Sequence, residues 1–472
     1  MIKRSFFSLS GPGFDYNTVE PDLKEPTNIP IPPKLVLLVN ESINPTQKAL
    51  IKAKKKVTKG EKLYLYKGST EYAVSPVSGT IKAIETYSDY IGKLSTYIVI
   101  ADEKDEPPSS KAKAKAKSKD SEKAEKAPEK SEDAEKASDS EKPAASEEPS
   151  APTEISYDLE ETPASADEYL RMLPGAPPLT QLANGKAKID TIVVSGVDTD
   201  LLSTTRQYVT LKSFNDLKKG ALILQRITKA TKVYLALPEN INLSEVVDPL
   251  QVIKISGKYP SGSPALILKD HLNMTLPQGK SPEDLGVCFV SAEAAASLSR
   301  AYEAKTAVFE KIVTVIGRGG ASYRVKATIG TPLTRIFKEL KIQVKDQDRL
   351  IIGGPMKGFA TYTIHHPVEP NMDIVIVQNS TQITEVTDSA CVNCGKCIRI
   401  CPAQLPVNIL VRNLEIARYE EAADFYDLFS CIECGLCSYV CTAKIPIFQH
   451  ILLGKHKLLK VQPDLELETA NE

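Results

Sequence analysis

Cys391-Val392-Asn393-Cys394-Gly395-Lys396-Cys397-Ile398-Arg399-Ile400-Cys401-Pro402 and Cys431-Ile432-Glu433-Cys434-Gly435-Leu436-Cys437-Ser438-Tyr439-Val440-Cys441 hold all but one of the cysteines of this 472-residue chain. Both stretches read C-x2-C-x2-C-x3-C. Disulfides that staple a secreted domain would be spread along the chain, whereas packed cysteines point to metal chemistry in a reducing compartment. A tetrahedral zinc ion takes four ligands, commonly two paired C-x2-C arms, and would leave cysteines stranded in this arrangement. Three closely spaced thiolates instead suit one face of an iron–sulfur cube. Gly395 and Gly435 leave room for backbone amides to approach the sulfurs. The remaining cysteine, Cys288 in Gly286-Val287-Cys288-Phe289-Val290, reads as a small buried apolar residue.

The doubled run resembles that of two-cluster bacterial ferredoxins, which implies two [4Fe–4S] clusters with crossed ligation. In that pattern the fourth cysteine of each run binds the other cluster. The resemblance gives Cys391, Cys394, Cys397 and Cys441 to one cluster, and Cys431, Cys434, Cys437 and Cys401 to the second. Thr442 stands where a proline usually follows the last cysteine, a change that removes no ligand. Val407 to Ala423, between the runs, predicts one or more inserted helices.

Working outward, we read residues 386–460 as a helical dicluster domain and 461–472 as a tail. Upstream, Lys311–Gly317 and Tyr323–Ile329 predict a hairpin-like pair. Gly330-Thr331-Pro332 then leads into a helix over Leu333–Leu340, and Leu350–Met356 closes a β-grasp module over 306–385. Residues 165–305 read as a Rossmann-like α/β domain. Ile189–Val194 and Lys232–Leu237 are strands flanking an amphipathic helix, Phe214–Lys229, and that spacing predicts a βαβ unit on a largely parallel sheet.

Residues 104–164 read as a disordered tether. Lys111 to Ser150 contains only Lys, Ala, Ser, Asp, Glu and Pro, and such a segment has too little apolar surface to offset its ordering entropy. In residues 1–103, Val57-Thr58-Lys59-Gly60-Glu61-Lys62-Leu63 and Ser75-Pro76-Val77-Ser78-Gly79-Thr80-Ile81 resemble the half-barrel of biotinyl and lipoyl carrier domains. The carrier lysine within its usual turn has no counterpart, so the unit is expected to be structural. The fold class is therefore multidomain α/β.

Lys and Arg (59) nearly balance Asp and Glu (60), for a formal charge of −1, which argues against a nucleic-acid partner held by phosphate contacts. No apolar run approaches a membrane span, and the N-terminus lacks the apolar stretch of a signal peptide. The expectation is a cytoplasmic protein, peripheral on the inner face of the cell membrane.

The order half-barrel, α/β domain, β-grasp, dicluster resembles the RnfC component of the Rnf complex, a membrane-bound ferredoxin:NAD oxidoreductase. The most specific matches are Ser75–Gly79, Ile329–Pro332, Gly353-Gly354-Pro355-Met356-Lys357-Gly358-Phe359 and Cys431–Cys441. The resemblance implies membrane subunits of an Rnf-like complex as partners, with ferredoxin or another redox protein. It also implies an NAD and FMN site, and there this chain departs from the family. The family's glycine-rich G-G-A-G-F-P-T loop is here Leu173-Pro174-Gly175-Ala176-Pro177-Pro178-Leu179-Thr180. Only Gly175 survives of its glycines, and the prolines remove amide donors. The acidic N-G-A-E-C-E-P segment is replaced by Ser195-Gly196-Val197-Asp198-Thr199-Asp200. Y-P-x-G-G-E reads Tyr259-Pro260-Ser261-Gly262-Ser263-Pro264 and lacks its carboxylate. Asp198 and Asp200 are candidate substitutes or, more simply, solvated loop acids. The expected function is an electron-transfer subunit without its own NAD or flavin. The alternatives are an NADH-oxidising flavin subunit and a soluble flavin-dependent reductase.

Overall fold

The structure, a computed structural model, describes residues 14, 16, 22–44, 47–89, 92–102, 154–184, 188–243 and 247–469, with side chains of the last helix described to Leu459. Most of the expected tether, residues 103–153, lies outside the described residues, as do 470–472 of the tail.

The first unit contributes β1 (Thr27–Asn28), β2 (Lys34–Val39), β3 (Lys56–Val57), β4 (Lys62–Tyr64), β5 (Tyr72–Val74), β6 (Gly79–Ser88) and β7 (Leu94–Asp102). Strands β2-β7-β6-β3 form an antiparallel sheet that faces the β4-β5 pair. Alternate residues of β2 point inward, so Leu35, Leu37 and Val39 are buried. Leu37 and Val39 join Leu63, Ile81, Ile98 and Ile100 in a closed apolar core. This is a barrel-sandwich half-barrel. Its boundary at residue 103 omits one exchange: β1 leaves the unit and pairs in parallel with a strand of the third domain.

Residues 154–164, assigned above to the tether, are packed. Glu154 pairs with Lys59, and Tyr157 is buried with its hydroxyl donating to the Gly60 carbonyl at 3.0 Å. One aromatic residue just beyond the low-complexity stretch is enough to anchor the chain.

The second domain runs α1 (Pro163–Leu170), α2 (Leu179–Ala183), β8 (Thr191–Ser195), α3 (Thr205–Lys212), α4 (Phe214–Thr228), β9 (Lys232–Pro238), β10 (Gln251–Ile255), α5 (Pro264–Leu272), β11 (Val287–Ser291) and α6 (Ala292–Ala304). Its sheet, β10-β9-β8-β11, is wholly parallel. The central strand β8 carries Ile192, Val193 and Val194, all buried, because both of its faces are covered. On α4, Phe214, Leu217, Ala221 and Leu224 recur at helical spacing and are buried against the sheet and α6. Cys288 lies in this core, and burial pushes its thiol up to about 12.

The third domain contains β12 (Glu310–Ile316), β13 (Ser322–Thr328), α7 (Leu333–Glu339), β14 (Arg349–Ile352), β15 (Phe359–Thr361) and β16 (Ile374–Gln378). The sheet order is β1-β13-β12-β16-β14-β15. Strand β12 is antiparallel to β13 and parallel to β16, and α7 buries Leu333, Ile336 and Phe337.

The last domain is helical: α8 (Lys396–Ile400), α9 (Val407–Glu415), α10 (Tyr419–Asp424), α11 (Leu436–Tyr439) and α12 (Ile447–Thr469). Helix α12 continues nine residues past the expected boundary at 460. The fold is thus mixed α/β with an N-terminal half-barrel and a C-terminal cysteine-bearing helical domain. Among the described residues no helix is long and apolar enough to cross a membrane.

Candidate iron-sulfur centres and the adjoining cavity

Each cysteine run ends in a very short helix, α8 or α11, entered through a glycine with positive φ, +69° at Gly395 and +74° at Gly435. That reversal turns the amides of Lys396 and Leu436 toward the sulfurs of Cys394 and Cys434. The Glu433 amide donates to Cys431 Sγ at 3.4 Å.

The cysteines gather around two small voids. Cys391, Cys394, Cys397 and Cys441 line one, together with Val392, Val411 and Ile445. Cys401, Cys431, Cys434 and Cys437 line the other, with Leu405, Leu436 and Ile451. Among the described residues no three His, Cys, Asp or Glu side chains converge where a single metal ion would bind. Four sulfurs standing apart around an apolar void fit a cubane, which fills the space between its ligands. Burial pushes the Cys397 and Cys431 thiols up to about 11 in the metal-free chain. Cys394 is partly desolvated too, yet the Thr442 hydroxyl, 3.4 Å from its sulfur, and the Lys396 amide hold it below the ordinary thiol range.

The two centres differ in their surroundings. Val392 and Asn393 are exposed, whereas Cys434, Gly435, Leu436 and Cys437 are buried. The second centre is covered by the loop between β14 and β15. A Cβ on Gly435 would meet the Met356 carbonyl oxygen at 2.4 Å, so only glycine permits this contact. Lys357 follows, and burial lowers its pKa. Lys455 Nζ donates to the Cys431 carbonyl at 2.8 Å and pairs with Glu433 at 2.7 Å.

On its other side the same loop walls a cavity of about 300 Å³ at the carboxyl ends of β8, β9 and β10. Val197–Ser203, Lys258–Pro260 and Pro355 line it. Tyr259 spans the wall, its hydroxyl donating to the Cys434 carbonyl at 2.7 Å. Two of the three segments expected to form a nucleotide site therefore meet here.

The third segment does not line this cavity. Leu173 is buried, Thr180 donates to Asp167 at 2.8 Å, and Gly175 donates to the Pro370 carbonyl at 2.7 Å. Gly175, at φ +84°, survives for packing: a Cβ there would meet the Ala294 nitrogen at 2.3 Å. The amides of Leu173, Ala176 and Leu179 bond within the loop, to Leu170, Leu173 and Pro177. The loop offers no row of free donors to a phosphate.

Asp198 and Asp200 are not solvated loop acids. Asp198 accepts from Ser203 Oγ (2.8 Å), the Arg206 amide (3.0 Å) and Gln207 Nε2 (3.0 Å), tying down the start of α3. Asp200 is 6% exposed and accepts from the amides of Leu201 (2.7 Å), Met356 (3.1 Å) and Lys357 (2.7 Å). Gly354 packs on this carboxylate so closely that a Cβ would meet Asp200 Cγ at 2.4 Å. Both acids are consumed in holding loops. Sequence reading missed Asp200, Tyr259 and Lys357 as a shared wall; the Gly353-Gly354 pair was the one local sign of a close approach.

Burial pushes Asp200 up to about 6 against its three amide donors. A carboxyl raised in the folded state contributes stability that is complete below the ordinary value of 3.8 and is lost as pH rises through about 6. We expect the stability difference between wild type and Asp200→Asn to shift by about 3 kcal/mol between pH 4 and 7. Urea midpoints of the two proteins across that range measure it, and parallel profiles would refute it.

Residues 390–445 match the 4Fe-4S dicluster domain, and residues 21–105 match the RnfC barrel sandwich hybrid domain. The RnfC-type component of the ion-translocating oxidoreductase complex of Vibrio cholerae serotype O1 is 24% identical over 241 residues, covering 49% of this chain and 31% of that protein. The corresponding component of the proton-translocating ferredoxin:NAD(+) oxidoreductase complex of Clostridium ljungdahlii is 24% identical over 251 residues, 51% of this chain and 54% of that protein. The chain thus spans about a third to a half of these relatives. Among solved structures, an NAD+-reducing [NiFe]-hydrogenase in the H2-reduced state aligns at 12% identity and TM-score 0.39, covering 63% of this chain and 61% of that one. Fold and cysteine runs together define an iron–sulfur protein with a dicluster domain. More particularly, the chain is RnfC-like.

Proposed function

We propose that this chain is the iron–sulfur electron-transfer subunit of an Rnf-like membrane-associated oxidoreductase complex. It relays single electrons between two [4Fe–4S] clusters and has no NAD or FMN site of its own. The observation that carries this reading is the grouping of eight cysteines around two voids, each lined by three cysteines of one run and the fourth of the other. A cubane at each set supplies one-electron chemistry without moving atoms. Cys391, Cys394, Cys397 and Cys441 hold the outer cluster; Cys431, Cys434, Cys437 and Cys401 hold the inner one. Apolar neighbours exclude water, and amide donors stabilise the thiolates.

We read the parallel-sheet domain as Rossmann-like, from its strand order and its cavity at the carboxyl edge, and the third domain as a β-grasp module, from its two antiparallel pairs joined through parallel β12 and β16. The relatives' names supply the setting: membrane subunits of the complex, a redox protein such as ferredoxin, and a peripheral position on the inner face of the cell membrane. Loss of NAD and FMN follows from the internally bonded loop at Leu173–Thr180 and the occupied carboxylates of Asp198 and Asp200.

Anaerobically purified protein should contain about eight iron and eight sulfide per chain. It should show no flavin absorbance and no NADH-dependent dye reduction, while dithionite bleaches the clusters. Stoichiometric zinc without sulfide would overturn the cluster assignment. Tight flavin with NADH oxidation would instead return the chain to the NADH-oxidising reading.

A further inference from the structure

The two centres are unequally placed, and the difference names a port. The inner one is walled by Tyr259 and Met356 and capped by buried residues of its own run. Around the outer one, Val392 is 65% exposed, and Asn393 and Thr442 are also exposed. A second exposed valine, Val386, also at 65%, is brought to the same rim. The Thr387 hydroxyl donates to the Ala443 carbonyl at 2.6 Å, and the Thr387 amide to the Lys444 carbonyl at 3.2 Å. These bonds set 386–388 beside the turn that carries Thr442.

Charge is asymmetric as well. Arg399 reaches back over Gly395, its Nη1 3.4 Å from the Cys394 carbonyl. Lys396 lies close enough to act on Cys394, and exposed Lys444 donates its amide to the Cys441 carbonyl at 3.3 Å. In the adjoining 386–388 segment Asp388 opposes these three cations. At the inner centre Lys455 is instead neutralised by Glu433 at 2.7 Å. A cationic rim around a small apolar contact favours an anionic partner, because complementary charge steers encounter while the apolar residues exclude water at the point of contact.

The geometry points to the surface around Val386, Val392, Lys396, Arg399 and Lys444 as the docking port for a small acidic one-electron carrier protein. This rests on the two-cluster reading above. In the transfer a single electron leaves the reduced carrier, which is oxidised by one, and reduces by one the group held by Cys391, Cys394, Cys397 and Cys441. No bond forms or breaks and no proton moves. The inner centre then communicates with the rest of the molecule through the wall formed by Tyr259 and the Gly353–Gly358 loop.

The test uses the whole iron-loaded protein and, as probe, an acidic two-cluster bacterial ferredoxin, with binding measured by calorimetry at low and high salt. Wild-type affinity should fall as salt rises. The triple variant K396E/R399E/K444E should weaken binding at low salt roughly tenfold or more. The control K52E/K269E/K338E, reversing three exposed lysines elsewhere, should stay within about twofold. Iron and sulfide content and both reduction potentials are measured on every variant. Iron-loaded triple variant that binds as tightly as wild type, or a control that weakens equally, overturns the port alone. Wild-type protein devoid of iron and sulfide overturns the two-cluster reading and the port with it.

Discussion

Cys441→Ala is expected to remove about half of the iron, about four per chain, from the centre carried by the other run. The reason is local geometry. Cys441 lies at the end of α11, yet it faces the void of Cys391, Cys394 and Cys397, beside Ile445 and Val411. Cys401 faces the void of Cys431, Cys434 and Cys437, beside Leu405 and Ile451. Single variants count iron without saying which centre has gone, so pairs decide the matter. If Cys391 and Cys441 serve one cluster, the double variant C391A/C441A loses no more than either single change and keeps about four iron. C431A/C441A then loses both clusters. Uncrossed ligation predicts the reverse: four iron retained in C431A/C441A and none in C391A/C441A. Iron and sulfide analysis of the four proteins separates the two arrangements. Crossing also makes the domain cooperative, because each cluster clips both ends of the α9–α10 insertion together, so losing one should loosen the ligands of the other.

Much of this was legible in short stretches of sequence. Spacing alone marked the cysteine runs. Ile192-Val193-Val194 announced a strand covered on both faces, and the period of Phe214, Leu217, Ala221 and Leu224 announced the helix that covers it. These signals are local, since apolar periodicity reflects burial of the element that carries it. What stayed hidden depends on partners far away in the chain. Thr27–Asn28 carries no strand signal of its own and is a strand because the edge of β13 is free to accept it. Asp200 reads as an exposed loop acid, and only the fold brings the amides of Met356 and Lys357 to it. The loop Leu173–Thr180 showed its lost glycines in sequence. Its displacement from the cavity followed only from the packing of Gly175 on the first turn of α6. The candidate site was therefore legible as a set of ligands and illegible as a wall shared with the neighbouring cavity.

Lys311 is the plainest case of a residue whose sequence context misleads, and its replacement should have the largest effect on stability. In Lys311-Ile312-Val313-Thr314 it reads as the solvated end of a strand, yet its side chain is fully buried. Its Nζ bonds Glu293 on α6, Asp373 ahead of β16 at 3.1 Å and the Ile312 carbonyl at 2.9 Å. Asp373 also pairs with Arg206 on α3 at 2.9 Å, and the Thr205 hydroxyl donates to its carbonyl at 2.7 Å. Burial alone would push the Asp373 carboxyl up, but Lys311 and Arg206 hold it below the usual carboxylate range. Two cations and two anions thus close a network between the parallel-sheet domain and the six-stranded sheet. Lys311→Met keeps most of the volume but leaves Glu293 and Asp373 buried with too little positive charge. Breaking a buried pair in this way costs about 3–5 kcal/mol, whereas removing both partners costs far less. The double variant K311M/E293Q should therefore be more stable than K311M alone, and Asp373 keeps Arg206 as its partner. Urea unfolding, followed by a probe within each domain because a chain of this size need not unfold in one step, reads the difference. A K311M protein within about 1 kcal/mol of wild type would show that the network contributes little to holding the two domains together.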